Sequence, residues 1–447
     1  MDSKQQSVLM LPWLAHGHLS PFIELAKKLS QRNFNVYLCS TPINLKPFRG
    51  SISLNLSASP IQFIDIHLPP SPLLPPHYHT TKDLPPHLLP ALNTAFDNAK
   101  PAFLTILKTI KPDIVIYDFL QPWVPIAAHE ENTEAVVFVT GCAASYSVLT
   151  HCTNDANKDY PFQELNISED LRDKVIRYLY ETTNGVINKE RFLGCIERSS
   201  SFVLIKTSNV IEAKYVDYLC GLVGKEVVPV GPLIQIPTKN DDDEVIMEWL
   251  DEKEVSSVVF VSFGSECFLS KQQIEEIAHG LELSKVSFIW VVRFHGAEKT
   301  RVLHEVLPKG FLERIEDKGL VIEGWAPQAK ILSHPSIGGF VSHCGWGSTL
   351  EGVMFGVPII AMPMRLDQPY NAKLVVEIGV GKEVNIENEN ERFKREEVAR
   401  VIKQVVDQED GKEVRRKVKE LSERMREKSE EEIDLAIEKL VQLVRKS

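Results

Sequence analysis

The sequence predicts an α/β protein made of two Rossmann-like βαβ domains that face each other across a cleft. Short apolar runs alternate with helical patterns along most of the chain, which is typical of parallel sheets covered by helices. A stretch rich in proline, glycine and aspartate interrupts this alternation near the middle. In addition, 447 residues are more than one compact core normally holds, so two domains are the natural expectation.

The first half contains five apolar runs with the length and composition of buried parallel strands. These runs are Ser7–Leu11, Val36–Ser40, Ile114–Tyr117, Ala135–Val139 and Phe202–Ile205. The segment Pro21–Ser30 has the periodicity of an amphipathic helix. We therefore expect residues 1–235 to form the first domain.

The alternation stops at residues 236–245 and then restarts. Asp241–Asp243 lie in this stretch, and we expect a solvated acidic linker there, because a metal-binding acidic motif would follow a strand. A helix is predicted over Lys271–Leu283, and the second domain should span residues 246–430. Its predicted strands are Val258–Ser262, Phe288–Val292, Leu320–Ile322, Gly339–Ser342, Pro358–Met362 and Lys382–Val384.

The chain closes with a long charged amphipathic segment, Gly411–Arg445. Lysine, arginine and glutamate are interspersed along it, which is typical of a helix with one solvated face. We expect residues 431–447 to form a helix that packs back on the first domain.

Composition excludes several classes of function. A formal net charge of -11 argues against nucleic acid and anionic membranes as partners. Every apolar run is shorter than the roughly eighteen residues of a membrane-spanning helix, and the interrupted run near the amino terminus is too short for a signal peptide. The seven cysteines lack CxxC spacing, which indicates free thiols in a reducing compartment. We expect a cytoplasmic monomer that does not insert into membranes.

The most informative segment for chemistry is residues 325–368. Within it, HCGWGS (His343–Ser348) follows an apolar run and opens a helical pattern. A helix amino terminus offers unpaired N–H groups and a partial positive charge, which suits a diphosphate. Gly345 and Gly347 allow a close approach of the backbone, while the histidine and serine at the ends add side-chain donors. Glu351, one turn into the helix, can accept both hydroxyls of a ribose.

The order of WAPQ, HCGW, a glutamate after the serine and a terminal DQ resembles the signature of plant family-1 UDP-dependent glycosyltransferases. The resemblance implies a GT-B fold and an inverting enzyme that moves a sugar from a UDP-sugar to a hydroxyl group. It implies no cofactor and no metal, with the UDP-sugar as co-substrate. The donor-binding residues implied are Ser265, Trp325, Ala326, Gln328, His343, Trp346, Gly347, Ser348, Glu351, Asp367 and Gln368.

The resemblance also implies a role for each of these residues. The base would stack on Trp325, and Gln328 would lie at the base or the ribose. Glu351 would bind the ribose hydroxyls. The diphosphate would bind the histidine and serine of HCGWGS, together with Ser265 of the FGSE segment.

On the same basis, Trp346, Asp367 and Gln368 would contact the hydroxyls of the sugar. A glutamine at the end of the segment is typical of glucose donors, so UDP-glucose is the donor we expect. Gly347 departs from the family, which usually has asparagine there; the change could weaken donor binding by about 1 kcal/mol, as for one lost hydrogen bond.

The first domain would supply the catalytic base. His18, in the sequence His-Leu-Ser-Pro after the first predicted strand, matches the context of the family's base, and His16 is the competing candidate. A neutral imidazole can take a proton from an attacking hydroxyl. Asp118, at the end of a predicted strand, matches the family's residue that orients this histidine, although a lone aspartate there is more often a helix cap. Asp113, at the other end of that strand, should be remote.

Other segments, including PWLAHGHLSPF and LPPHYHTTKDLPPHL, look like the branch-forming subgroup, which adds a sugar to the sugar of a flavonoid, terpenoid or steroid glycoside. The loop Pro75–Leu88 and the stretch Gly141–Ser147 are candidate walls for this acceptor. The individual acceptor contacts we predict are His77, His79, Ser145 and Tyr370. Transfer directly to an aglycone hydroxyl is the alternative.

Two other classes of protein share part of this pattern. A nicotinamide-dependent oxidoreductase has the same alternation, but HGHLSP stands where GxGxxG would follow the first strand. A non-catalytic protein that binds nucleotide sugars would keep the segment 325–368 and would need neither His18 nor Asp118.

Overall fold

The computed structural model describes residues 5–49, 60–154, 159–165, 168–237, 244–293, 303–387 and 392–446. The chain forms two compact units, Met1–Leu233 with Glu427–Ser447, and Ile234–Arg426. The predicted linker 236–245 lies largely outside the described residues, and Asp241–Asp243 lie wholly outside them. Each unit is an α/β structure with its own parallel sheet, as the sequence predicts.

The first unit contains a sheet of seven strands. They are β1 (Ser7–Leu11), β2 (Asn35–Ser40), β3 (Gln62–Asp65), β4 (Ile114–Asp118), β5 (Glu134–Val139), β6 (Phe202–Ile205) and β7 (Glu226–Pro229). Their order is β3-β2-β1-β4-β5-β6-β7, and all neighbouring pairs are parallel. The five predicted strands are confirmed. Sequence analysis missed β3 and β7, the two edge strands, because each has only four residues and begins with a polar residue.

The second unit contains a sheet of six strands. They are β8 (Val258–Ser262), β9 (Ser287–Val292), β10 (Gly319–Glu323), β11 (Ile337–Ser342), β12 (Ile359–Ala361) and β13 (Gly381–Glu383). Their order is β10-β9-β8-β11-β12-β13, again with parallel pairing throughout. All six predicted strands are present, with boundaries within two residues of the prediction.

Helices connect the strands in both units. They are α1 (His16–Ser30), α2 (Pro42–Leu45), α3 (Leu89–Asp97), α4 (Lys100–Ile110), α5 (Trp123–Glu130), α6 (Ala143–Asn154), α7 (Glu169–Tyr180), α8 (Asn188–Glu197), α9 (Asn209–Val223), α10 (Glu244–Asp251), α11 (Lys271–Ser284), α12 (Leu303–Val306), α13 (Phe311–Ile315), α14 (Gln328–Leu332), α15 (Trp346–Met354), α16 (Gln368–Glu377), α17 (Arg395–Val406) and α18 (Glu409–Lys446). Within the described ranges, no helix has both the length and the apolar character needed to cross a membrane.

The strand order reverses once in each sheet, between β1 and β4 in the first and between β8 and β11 in the second. In doubly wound sheets, ligands bind beyond the carboxyl ends of the strands at such a reversal. The loops that follow these four strands are therefore where the fold predicts chemistry.

Helix α1 begins earlier than the sequence suggests. Periodicity predicts a helix from Pro21, but the helix begins at His16. The proline ring is accommodated in the second turn, where its missing N–H leaves only the carbonyl of Gly17 without its usual partner in the helix. As a result, His18 lies in the first turn of a helix and not in a loop.

The end of α18 belongs to the core of the first unit. Its buried side chains follow a helical spacing and pack in one cluster with residues of the first sheet; they are Ile433, Ala436, Leu440 and Leu443. Glu432, also on α18, accepts hydrogen bonds from the backbone N–H of Asn209 (2.8 Å) and the hydroxyl of Ser208 (3.0 Å) at the start of α9. Apolar packing and a helix cap thus attach the carboxyl terminus to this unit.

This attachment predicts unequal effects for two leucines of α18. Leu440→Ala should lower the free energy of unfolding by about 2–5 kcal/mol, because its side chain is fully buried. Leu435→Ala, at a side chain that is 46% exposed, should change it by at most about 0.5 kcal/mol. Urea denaturation followed by circular dichroism measures both changes, and equal values would contradict the docking of this helix.

Candidate active site

The reversal point of the first sheet brings His18 and Asp118 together. The Nδ1 atom of His18, in α1, is 2.9 Å from Oδ2 of Asp118, the last residue of β4. The backbone N–H of Trp13 donates to the same carboxylate oxygen (3.2 Å). Asp118 is fully buried, whereas the side chain of His18 is 21% exposed. A carboxylate at this position favours a proton on Nδ1, which would leave Nε2 as the nitrogen that can accept one.

The competing candidates of the sequence lie elsewhere. The structure places His18 within hydrogen-bonding distance of Asp118. Asp113, at the opposite end of β4, accepts hydrogen bonds from the backbone N–H and the hydroxyl of Ser7, each at 2.7 Å. The two aspartates therefore lie at opposite ends of β4 and bind different partners.

Sequence analysis missed Thr140, which directly follows β5. Its Oγ1 atom is 3.2 Å from Nδ1 of His18, on the nitrogen that also faces Asp118. Because β5 is the neighbour of β4, the residue after β5 must lie close to the residue that ends β4. This adjacency could have pointed to Thr140, but only if the order of the strands in the sheet had been known.

An aromatic cluster lies beside the imidazole. The ring of Phe119 is centred 5.3 Å from that of His18. Phe119 in turn packs against Tyr146 (5.4 Å) and Phe192 (5.0 Å). These rings come from three separate segments, so the sequence alone could not group them.

Glu212 anchors the segment that follows Thr140. Its fully buried carboxylate accepts hydrogen bonds from the backbone N–H groups of Ala143 (3.0 Å) and Ala144 (2.7 Å), at the start of α6, and from the hydroxyl of Thr207 (2.5 Å). Glu212 itself has non-helical dihedral angles inside α9, with φ -128°. Burial raises the pKa of Glu212 to about 7. This carboxylate caps α6 from a different helix.

In the second unit, His343 occupies the turn between β11 and α15. A Cβ atom at Gly264, in the loop after β8, would lie 2.7 Å from its imidazole, and one at Gly345 would lie 2.6 Å from it. Glycines at these two positions therefore admit the ring, and Ser265 follows the first of them. Burial, and secondarily the guanidinium of Arg365, lower the pKa of His343 to about 4, so the imidazole is neutral at pH 7.

The residues predicted to bind the nucleoside form a connected group. The Nε2 amide of Gln328 donates to Oε2 of Glu351 (2.5 Å) and to Oγ of Ser348 (3.1 Å). Trp325, three residues before Gln328, is 59% exposed, and the guanidinium of Arg293 lies 5.1 Å from its ring centre. An exposed indole such as that of Trp325 can stack on a base, and a carboxylate such as that of Glu351 can accept hydrogen bonds from ribose hydroxyls. Ala326 is buried.

The residues predicted to bind the sugar lie at the starts of two helices. Asp367 occupies the N-cap position of α16, and Gln368 is its first residue. The side-chain oxygen of Gln368 accepts from the backbone N–H groups of Met364 (3.0 Å) and Arg365 (2.9 Å), which leaves its amide nitrogen as a donor. Within the described ranges, no protein group accepts from that nitrogen.

Two of the predicted sugar and phosphate contacts lie at the start of α15. Trp346, the first residue of this helix, is 4% exposed. Gly347 follows it in the first turn of the helix, where the lack of a side chain leaves the backbone accessible.

Three of the four predicted acceptor contacts are buried in this structure. His79 and Ser145 are buried and bond to nearby backbone, through Nε2 to the carbonyl of Leu74 (3.1 Å) and through Oγ to the carbonyl of Cys142 (3.1 Å). Tyr370 is 1% exposed in the core of the second unit. Only His77 is exposed, against the ring of Tyr78. Polarity suggested all four, but polar side chains in turns often satisfy nearby backbone groups instead.

Comparisons with known proteins cover the whole chain. A family model described as UDP-glucoronosyl and UDP-glucosyl transferase matches residues 230–445, and one described as glycosyltransferase, N-terminal domain matches residues 4–235. The chain is 52% identical to flavanone 7-O-glucoside 2''-O-beta-L-rhamnosyltransferase of Citrus maxima, over 100% of both chains. It is 45% identical to beta-D-glucosyl crocetin beta-1,6-glucosyltransferase of Gardenia jasminoides, over 97% of this chain and 98% of that one.

A solved structure shows the same architecture. The crystal structure of UGT73P12 of Glycyrrhiza uralensis complexed with glycyrrhetinic acid 3-O-monoglucuronide matches with a TM-score of 0.84 and 26% identity. The match covers 98% of this chain and 96% of that chain.

The buried Glu212 predicts a pH dependence of stability. Its pKa is about 7 in the folded chain and about 4.5 when exposed, so folding holds a proton that the unfolded chain releases between these values. Its contribution to stability therefore falls as pH rises from 4.5 to 7. Glu212→Gln should remove this fall. Between pH 5 and pH 8, the free energy of unfolding of this variant should therefore rise by about 3 kcal/mol relative to that of the unmodified chain.

Urea denaturation at several pH values measures that difference. Glu181→Gln, at an exposed carboxylate of the same unit, is the matched control and should run parallel to the unmodified chain at every pH. A constant offset between Glu212→Gln and the unmodified chain would contradict the assignment.

Proposed function

The chain belongs to the plant family-1 UDP-dependent glycosyltransferases, and on this premise we propose that it transfers glucose from UDP-glucose to a sugar hydroxyl of a small-molecule glycoside. The acceptor would be a terpenoid, steroid or flavonoid glycoside. The fold is the family's GT-B fold, with two Rossmann-like domains. The observation that carries the proposal is the buried carboxylate of Asp118, 2.9 Å from Nδ1 of the partly exposed His18.

In the proposed reaction, Nε2 of His18 takes the proton of the acceptor hydroxyl while its oxygen attacks the anomeric carbon of the donor sugar. The bond from that carbon to the diphosphate breaks at the same time, so the configuration inverts and UDP leaves. Asp118 stabilises the imidazolium that forms. A protein that only binds nucleotide sugars has no use for a buried carboxylate fixed against this imidazole.

Neutral groups and a helix dipole would stabilise the leaving diphosphate without a metal ion. The first turn of α15 presents backbone N–H groups and a partial positive charge. Ser348 accepts its hydrogen bond from Gln328, so its own hydroxyl proton remains for a phosphate oxygen. Ser265 and the neutral imidazole of His343 would add two more donors.

Glucose as the transferred sugar rests on Gln368. Two backbone N–H groups hold its side-chain oxygen, so its amide nitrogen would be the atom that donates to a sugar hydroxyl. The similar protein of Gardenia jasminoides is named a glucosyltransferase, whereas that of Citrus maxima is named a rhamnosyltransferase. UDP-rhamnose is therefore the competing donor.

A glycoside as acceptor rests on two observations. The names of both similar proteins describe transfer to a glucoside or glucosyl compound, and the similar crystal structure contains a monoglucuronide. In this chain, Phe192 is the partly exposed member of the aromatic cluster beside His18, and an aromatic ring can pack against a pyranose face. Transfer to an aglycone hydroxyl is the alternative.

An acceptor panel tests this proposal. The purified protein should release UDP and form a product heavier by one hexose with UDP-glucose and flavonoid or triterpenoid monoglucosides. Turnover with the matching aglycones should be at least about tenfold slower, because the sugar-binding contacts are then left unused. Mass spectrometry of the products with UDP-glucose, UDP-rhamnose and UDP-glucuronic acid identifies the donor. Faster reaction with aglycones would refute the acceptor class, and UDP binding without UDP release would refute catalysis.

Substitutions test the base. His18→Ala should abolish turnover and leave the Kd for UDP within about twofold, because the base acts only in the chemical step. Asp118→Asn should lower kcat by about 10²- to 10⁴-fold, since an amide can hold the wrong tautomer of the imidazole. His16→Ala is the matched control and should keep near-normal rates. Steady-state kinetics and calorimetry with UDP measure these effects; normal turnover in His18→Ala would rule out this base.

A further inference from the structure

Asn371 is a fully buried asparagine that no step of the proposed reaction uses. It lies in α16, four residues after Asp367. Its Nδ2 atom donates to the carbonyl oxygen of Cys344 (2.9 Å) and to Oδ2 of Asp367 (2.9 Å). An amide group has two N–H hydrogens, so a single nitrogen makes both bonds. One side chain thus links the turn before α15 to the carboxylate at the start of α16.

The bond to Cys344 supports an unusual backbone. Cys344 has a φ of 61°, in the left-handed region that residues other than glycine rarely adopt. Its N–H donates to the hydroxyl of Ser342 (3.1 Å), while its carbonyl accepts from Asn371. These two hydrogen bonds hold the strained residue from both sides. The turn directly follows His343 and leads into α15, so its shape sets where the proposed diphosphate donors point.

The bond to Asp367 fixes a carboxylate. Asp367 is the residue proposed to accept from sugar hydroxyls, and Asn371 orients its Oδ2. A carboxylate that already points in the required direction loses less entropy when a ligand binds. This bond should therefore strengthen the binding only of a ligand that carries a sugar. The bond to Cys344 should strengthen the binding of UDP as well.

We propose that Asn371 is a positioning residue that couples the diphosphate turn to the sugar carboxylate, so that the site favours an intact UDP-sugar over free UDP. The proposal rests on the donor site described above. It differs from a purely structural role, in which removing the amide would lower stability and would weaken UDP and UDP-sugar binding equally.

A double-mutant cycle on Asn371 and Asp367 separates these possibilities. Asn371→Ala should weaken UDP binding by about 3- to 10-fold and lower kcat/KM for the sugar donor by about 10- to 100-fold more, as for a lost bond to a charged group. That additional loss should disappear when Asn371→Ala is made in an Asp367→Ala chain, because the amide then has no carboxylate to orient. Calorimetry with UDP and kinetics with the donor that supports turnover measure the two quantities.

Asn188→Ala is the matched control. This asparagine is also buried, and its Nδ2 donates to the carbonyl of Tyr178 (2.9 Å) in the other unit. Its loss should therefore not lower kcat/KM for the sugar donor by more than it lowers the affinity for UDP. If Asn371→Ala does not fold, as judged by circular dichroism, Asn371→Ser enters the same cycle.

Two results would overturn the proposal. One is an equal loss of UDP affinity and of kcat/KM in Asn371→Ala, and the other is an additional loss that persists in the Asp367→Ala chain. An unmodified chain that transfers no sugar would refute the proposed function instead, so the two failures are distinguishable.

Discussion

The reversal of strand order in a parallel sheet is the constraint on which this molecule depends. Between β1 and β4, the carboxyl ends of two adjacent strands meet with helices leaving in opposite directions. This geometry brings Asp118 to within 2.9 Å of His18, a residue 100 positions earlier in the chain. The same reversal between β8 and β11 brings the loop at Gly264 against the imidazole of His343. In each unit, residues of two neighbouring loops are thus brought together at the reversal point.

Buried polar side chains then hold the loops in shape. Asp118, Glu212 and Asn371 are all fully buried, and each bonds to two or three partners. Leaving such a group without a partner would cost about 1–3 kcal/mol, so each one fixes its surroundings strongly. None of these three groups is placed by apolar packing alone.

Sequence reasoning succeeded where local pattern and burial coincide. Phe202–Ile205 and Val258–Ser262 were predicted with their observed boundaries, because a strand buried on both faces is a continuous apolar run. His18 and Asp118 were singled out by the family resemblance, and the structure places their side chains 2.9 Å apart. The edge strand β3 was missed because its residues are partly exposed and its pattern is mixed. Thr140, Phe119 and Glu212 could not be assigned, because their neighbours come from distant segments. For the predicted acceptor contacts, polarity does not reveal whether a side chain faces a ligand or nearby backbone, and three of the four are buried.

The central claim is that Asp118 holds His18 with its proton on Nδ1 and leaves Nε2 to act as the base. Nitrogen-15 NMR of histidine-labelled protein reports this tautomer directly, and a spectrum of His18→Ala identifies the signal among the 13 histidines. The neutral imidazole should show a protonated Nδ1 and an unprotonated Nε2, and Asp118→Asn should disturb this pattern. A neutral His18 with its proton on Nε2 would contradict the account.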